Sequence, residues 1–325
     1  MDDIPGFNVI GLSYTPSETV EVVSRIGSLK GRQRPEKIFI GAFYGGILVS
    51  FGAAACMIAI AEPWYVENTP GVPKFLGALI FPVALVMVLL TSAELFTASN
   101  MFTGVAFLHR RLPFWRMFMH WVLCWLGNFA GCLFSMAIFF GYTGIFDTPV
   151  LRDTVVTFGT NRQVLPNFRQ IFLKGIPCNM LVCLACFIAI QSKSLSGKIL
   201  GLWGPIAIFA FLGFDHAVAN MFNMPLAIWH KTPGLTVGLY IWKGLIPATL
   251  GNIVGGTIFA GFFLWWFHLL GQPPRAIDGK HHEHHEPSLP NNMYDHDPQS
   301  SSSGARRTVR RDSDLESRPK SCRCS

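Results

Sequence analysis

The amino-acid sequence predicts an all-α membrane protein of six transmembrane helices, folded as an inverted 3+3 repeat whose second and fifth helices are broken. Three observations carry that expectation. Apolar residues make up 50% of the 325 and charged residues only 14%, and the apolar ones gather in long blocks rather than in the stripes of a soluble helix. Two blocks, 75–108 and 199–230, run to roughly 32 to 34 residues, whereas about 20 suffice to cross a hydrocarbon core of about 30 Å. A short skeleton, Leu-Gly-Asn-x-x-Gly, occurs at Leu126, Gly127, Asn128 and Gly131 and again at Leu250, Gly251, Asn252 and Gly255.

In chain order, residues 1–37 form a polar N-terminal segment, and the first apolar block, 38–61, is long enough to span and to anchor without a cleavable signal peptide. The overlong second block, 75–108, is read as two half-helices with a break, and the third block is 117–146. Blocks 175–192, 199–230 and 244–270 repeat that order, the middle one again broken. An odd number of spans per half turns the second half over, so the pseudo-two-fold axis lies in the membrane plane and both breaks meet near the midplane. Glycine pairs four apart, at Gly41 and Gly45, Gly127 and Gly131, and Gly251 and Gly255, suit close helix packing. The transmembrane domain is thus 38–270, followed by a disordered cytoplasmic tail over 271–325, where prolines, histidines, serines and arginines replace the apolar pattern.

The net charge of +7 does not point to nucleic acid, because the basic residues flank the apolar blocks instead of forming a face with interleaved aromatics. Arg25, Lys30, Arg32, Arg34 and Lys37, then Arg110, Arg111 and Arg116, then Lys193 and Lys198 lie on one side. By the positive-inside rule that side and both termini are cytoplasmic, which gives a multi-pass protein of the cell membrane. Cys56, Cys124, Cys132, Cys183 and Cys186 fall within spans and read as small buried hydrophobes, so no structural disulfide is expected. In the tail, His281, His282, His284 and His285 read as a solvated tract rather than a metal site. Arg306-Arg307-Thr308 and Arg310-Arg311-Asp312-Ser313 resemble basophilic kinase sites, and Cys322 and Cys324 are weak candidates for lipidation.

Each broken block hides one acidic residue. Irregular backbone at membrane depth survives only where it is buried in protein or lines a cavity, so Glu94 and Asp215 mark a pathway. Their expected role is structural: to tie up the backbone amides that each half-helix exposes at its N-terminus. Beside Asp215 stands His216, an ionisable ring next to the break that Gly213 permits, and beside Glu94 stands Thr97, whose hydroxyl can donate or accept. No nucleophile with a base, no phosphate-binding glycine loop and no spaced metal ligands occur in the folded part, so an enzyme, a metal and a cofactor are not expected.

Glu-Leu-Phe-Thr at 94–97, Asn179-Met180-Leu181-Val182 in the fourth span, Gly-Phe-Asp-His-Ala-Val-Ala-Asn-Met-Phe at 213–222 and Leu-Ile-Pro-Ala-Thr-Leu-Gly-Asn at 245–252 together resemble the formate/nitrite transporter family over about residues 37–270. The resemblance implies an aquaporin-like protomer, a homopentamer with one pore per protomer, and passage of small monocarboxylates such as formate or lactate, or of nitrite. It implies His216 as the central pore histidine, with Thr97 and Asn252 on the substrate pathway. Phe81, Leu85, Leu95, Phe96 and Phe209 then match the apolar constrictions. Two positions depart from the family: Asp215 stands where glutamate is usual, and Gln163 where a vestibule lysine is usual. Arg162 next to it can attract an anion but cannot yield a proton.

The function expected is therefore proton-linked transport of formate, lactate, pyruvate or nitrite, with the solute, a proton and the lipid bilayer as partners. The competing readings are an aquaporin-like channel for neutral solutes and a membrane scaffold acting through its basic tail.

Overall fold

A computed structural model describes residues 13–272 together with Ile277. The tail's histidine tract, basic sites, Cys322, Cys324 and expected disorder fall beyond those residues.

The N-terminal segment holds a helix that the apolar pattern does not announce. Thr15 Oγ1 accepts from the Glu18 amide at 3.3 Å while Glu18 Oε2 accepts from the Thr15 amide at 2.9 Å, a reciprocal cap that starts α1 (Pro16–Gly31). α1 buries Val20 and Val23 in the membrane domain. It also comes so close to the backbone of a later half-helix that a methyl group on Gly27 would fall on the Phe102 carbonyl.

Among the described residues, six helices are long and apolar enough to cross a membrane: α2 (Pro35–Ala59), α4 (Gly71–Leu90), α6 (Phe114–Gly141), α8 (Phe168–Gln191), α9 (Leu195–Leu212) and α11 (Val237–His268). α3 (Pro63–Asn68) and α7 (Pro149–Gly159) are connectors. Each overlong block divides into a full rod and a stub: α4 is followed by α5 (Phe96–Leu108), and α9 by α10 (Ala217–Trp229). The stubs have 13 residues each, roughly 20 Å at about 1.5 Å per residue, too short to cross alone.

The repeated skeleton is explained by packing. A methyl group on Gly131 would fall on the Phe43 carbonyl of α2, and one on Gly255 on the Ile176 carbonyl of α8; Gly127 and Gly251 face Phe39 and Phe172 in the same way. Only glycine lets α6 lie this close to α2, and α11 to α8. Large apolar side chains remain on the outside, among them Ile40, Leu126, Leu200 and Ile258, as contact with lipid requires.

Candidate functional site

At membrane depth no water satisfies an exposed amide, so each break needs a partner from another helix. The skeleton asparagines supply it. Asn128 Oδ1 accepts from the Phe96 amide at 2.9 Å, while its Nδ2 donates to the Ala42 carbonyl at 2.7 Å and the Glu94 carbonyl at 2.9 Å. Asn252 repeats the arrangement: Oδ1 accepts from Ala217 N–H at 2.8 Å, and Nδ2 donates to Gly175 O at 2.8 Å and Asp215 O at 3.0 Å. Both side chains are fully buried. Two sequence-based expectations are corrected here. The carboxylates of Glu94 and Asp215 do not tie up the half-helix amides, because the asparagines already hold the first amide of each stub. Asn252, expected on the substrate pathway, spends both its amide atoms as a clamp.

The carboxylates do different work. Glu94 Oε1 accepts from Lys30 Nζ of α1 at 2.7 Å, and its Oε2 lies 3.6 Å from His120 Nε2. Asp215 Oδ1 accepts from Asn220 Nδ2 at 3.4 Å and stands 4.0 Å from Arg162 Nη1, whose guanidinium donates to the Gly213 and Phe214 carbonyls.

His216 is the N-cap of α10. Its Nδ1 accepts from the Ala219 amide at 3.0 Å. A backbone amide can only donate, so Nδ1 carries no proton and the neutral ring has its hydrogen on Nε2. That nitrogen is 3.0 Å from Thr97 Oγ1. The expected pair from the two breaks therefore meets, with the imidazole donating to the threonine hydroxyl. Phe209 stacks on the imidazole at 5.8 Å between centroids, and Phe81 meets Phe209 edge-on at 5.5 Å.

Three cavities share these residues as walls. An outer cavity of about 60 Å³ is lined by Phe158, Arg162, Asn220, Phe81, Phe209 and His216, among others. A central one of about 10 Å³ lies between Phe81, Phe209, His216, Leu85 and Leu95. An inner one of about 350 Å³ takes up Leu85, Leu95, Lys30, Glu94, Ser99 and Lys198. Phe81, Phe209 and His216 thus separate the first two, and Leu85 and Leu95 the last two. The central space is about the size one water needs. Thr97 stands behind His216 and Phe96 behind the break, outside the walls of these three cavities. Of the adjacent pair Arg162 and Gln163, the arginine lines the outer cavity, while Gln163 is buried against Gly244. Sequence reasoning missed the reach of Lys30 into the first break and the clamp by Asn128; the shared skeleton was the signal for the second.

A bundle of six spans with two interrupted ones, and cavities strung between the interruptions, defines a multi-pass membrane transport protein. Residues 17–266 match the formate/nitrite transporter family, and the chain belongs to it. It is 31% identical over 274 residues to a probable formate transporter of Methanothermobacter thermautotrophicus, covering 80% of this chain and 99% of that one. It is 34% identical to formate-nitrite transporter 3 of Toxoplasma gondii, covering 77% of this chain and 50% of that protein. A solved pentameric formate channel with formate bound superimposes with a TM-score of 0.64 at 28% identity, covering 72% of this chain and 98% of that one.

Proposed function

We propose that the protein carries small monocarboxylates, formate foremost and lactate, pyruvate or nitrite as competitors, together with a proton, through one pore in each protomer of a homopentamer. Both termini face the cytoplasm of a cell membrane, and the protein moves its solute without acting as an enzyme on it. The observation that carries this reading is the string of three cavities with His216 in the wall between the outer and central ones. Arg162 concentrates the anion at the outer cavity. Toward the apolar centre the falling dielectric raises the anion's proton affinity. The neutral acid then passes Phe81 and Phe209, and next Leu85 and Leu95.

His216 serves this path as a hydrogen-bond donor rather than as a shuttle. To take a second proton its Nδ1 must give up the Ala219 amide, a buried bond whose loss costs about 1 to 3 kcal/mol. Proteoliposomes test both points. Formate, lactate, pyruvate and nitrite compete for labelled uptake at two external pH values, and uptake is expected to rise with an inward proton gradient. Uptake blind to that gradient favours a channel for neutral solutes. His216→Asn is expected to slow uptake yet keep its proton linkage; loss of the linkage alone restores the shuttle.

A further inference from the structure

Beside the first break lies a cluster to which the proposed function assigns no role. His120 and Cys124 stand four residues apart on α6, so they share one face, and Glu94 meets them from the break. One ligand atom from each, a carboxylate oxygen, an imidazole nitrogen and a thiol sulfur, all fall within 4.8 Å of one another. All three residues are buried. Glu94 Oε2 has no hydrogen-bond partner even so, and neither has His120 Nδ1, whereas buried polar atoms as a rule find one. Lys30 occupies only Oε1, which leaves Oε2 free on the side of His120 Nε2.

From this geometry we infer a site for a divalent cation of the zinc type, bound by Glu94 Oε2, His120 Nε2 and Cys124 Sγ. Mixed oxygen, nitrogen and sulfur donors gathered within 4.8 Å of one another suit that ion, with water as a fourth ligand. Binding forms the metal to sulfur bond and releases the Cys124 proton to solvent, while His120 Nε2 exchanges its hydrogen bond with Ser99 Oγ for the metal and the neutral ring keeps its proton on Nδ1. The ion's two positive charges then face one carboxylate and one thiolate, with Lys30 left paired to Oε1. Glu94 and Ser99, the neighbour of His120 Nε2 at 3.1 Å, line the inner cavity, which gives the ion its access. Cys124 Sγ also lies 3.9 Å from Asn128 Oδ1, so an ion here ties the first break to α6 next to its clamp. Zinc is therefore expected to inhibit transport. That second consequence rests on the proposed function; the binding itself does not.

The test titrates zinc chloride into the full-length protein in detergent and, separately, onto proteoliposomes during formate uptake. His281, His282, His284 and His285 are all replaced by alanine in one variant, so that zinc held by the tail is told apart. In that background Cys124→Ala and Cys124→Ser are each expected to remove one equivalent of zinc or weaken it by about 100-fold or more, beyond the roughly 10- to 100-fold that losing an outer-shell partner costs. The zinc X-ray absorption spectrum should lose one sulfur neighbour at about 2.3 Å. Zinc uptake and spectrum unchanged by either cysteine variant overturn the site, as does inhibition that follows the tail histidines and ignores Cys124. Binding that survives alongside absent formate uptake leaves the site standing and removes the transport reading instead.

Discussion

Around residues 92–95 and around residues 213–216 the chain leaves its helix through the left-handed region, at Ser92 with φ 58° and at Gly213 with φ 74°, and resumes on an amide held by an asparagine of a distant helix. Beyond that shared framework the two breaks diverge. The first is wired to charge: Glu94 holds Lys30 of α1 at 2.7 Å, whereas at the second Asp215 stands 4.0 Å from Arg162, just past the end of α7, which precedes α8 as α1 precedes α2. The second is wired to a ring, with His216 capping its own stub and reaching across to Thr97 of the first. The duplicated scaffold therefore fixes where the breaks lie, while unduplicated side chains decide what each one does.

The largest expected effect tests the shared part. Asn128→Ala and Asn252→Ala each strand the first amide of a stub and the carbonyl of Glu94 or Asp215 in the break, at about 1 to 3 kcal/mol for each unsatisfied group, while the Ala42 and Gly175 carbonyls keep their helical bonds. Both variants should lose about 3 kcal/mol or more in thermal or denaturant unfolding, and a wide gap between them breaks the equivalence of the clamps. Next comes the ion pair of the first break. Glu94→Gln leaves the Lys30 ammonium without its partner; because that side chain is 20% exposed, the cost should fall below the roughly 3 to 5 kcal/mol of a fully buried pair. Asp215→Asn, with its arginine 4.0 Å away, should cost about 1 kcal/mol or less. Adding Lys30→Met to Glu94→Gln should recover part of the loss, and a double-mutant cycle reads the coupling.

A third experiment concerns the docking of α1, which carries Lys30 to the first break. Glu21 is buried, which pushes its carboxyl pKa up, but hydrogen bonds and charge from Arg111 and Arg25 outweigh burial and hold it below the usual carboxylate value. A lowered folded pKa contributes stability above the unfolded carboxylate's pKa of about 4.3, and that stability disappears as the pH falls through the folded value. The melting temperature should therefore drop less between about pH 7 and about pH 3 in Glu21→Gln than in the unmodified chain. Equal drops remove this pair from the docking of α1. The smallest effects lie at the turns: Gly213→Ala should cost about 1 to 2 kcal/mol, and Ser92→Gly should gain less than about 1 kcal/mol.

Much of this was legible in the chain. The long blocks 75–108 and 199–230 announced the breaks, and the Leu-Gly-Asn-x-x-Gly skeleton announced the repeat. Of the residues that the resemblance singled out, His216, Phe81, Phe209, Leu85 and Leu95 line the cavities, while Thr97 meets His216 from outside their walls and Phe96 lies outside them as well. Other roles were not legible. Glu94 and Asp215 looked like caps because an acid before a half-helix suits its exposed amides, and nothing local to residue 94 names Asn128 as the partner that arrives first. His120 and Cys124 share a helix face in the sequence, but Glu94 joins them only through the fold.

Where the chain crosses the membrane and where it must break are set by runs of transfer free energy and by helix rise, quantities summed over neighbours in sequence, and so the sequence by itself determined them. Which group satisfies a stranded amide, pairs a buried carboxylate or turns an imidazole depends on what lies a few ångströms away in space. At Asn128, Lys30 and Thr97 that neighbour comes from another helix, and only the tertiary structure decided it, because hydrogen bonds and ion pairs at membrane depth act over contact distance and not along the chain.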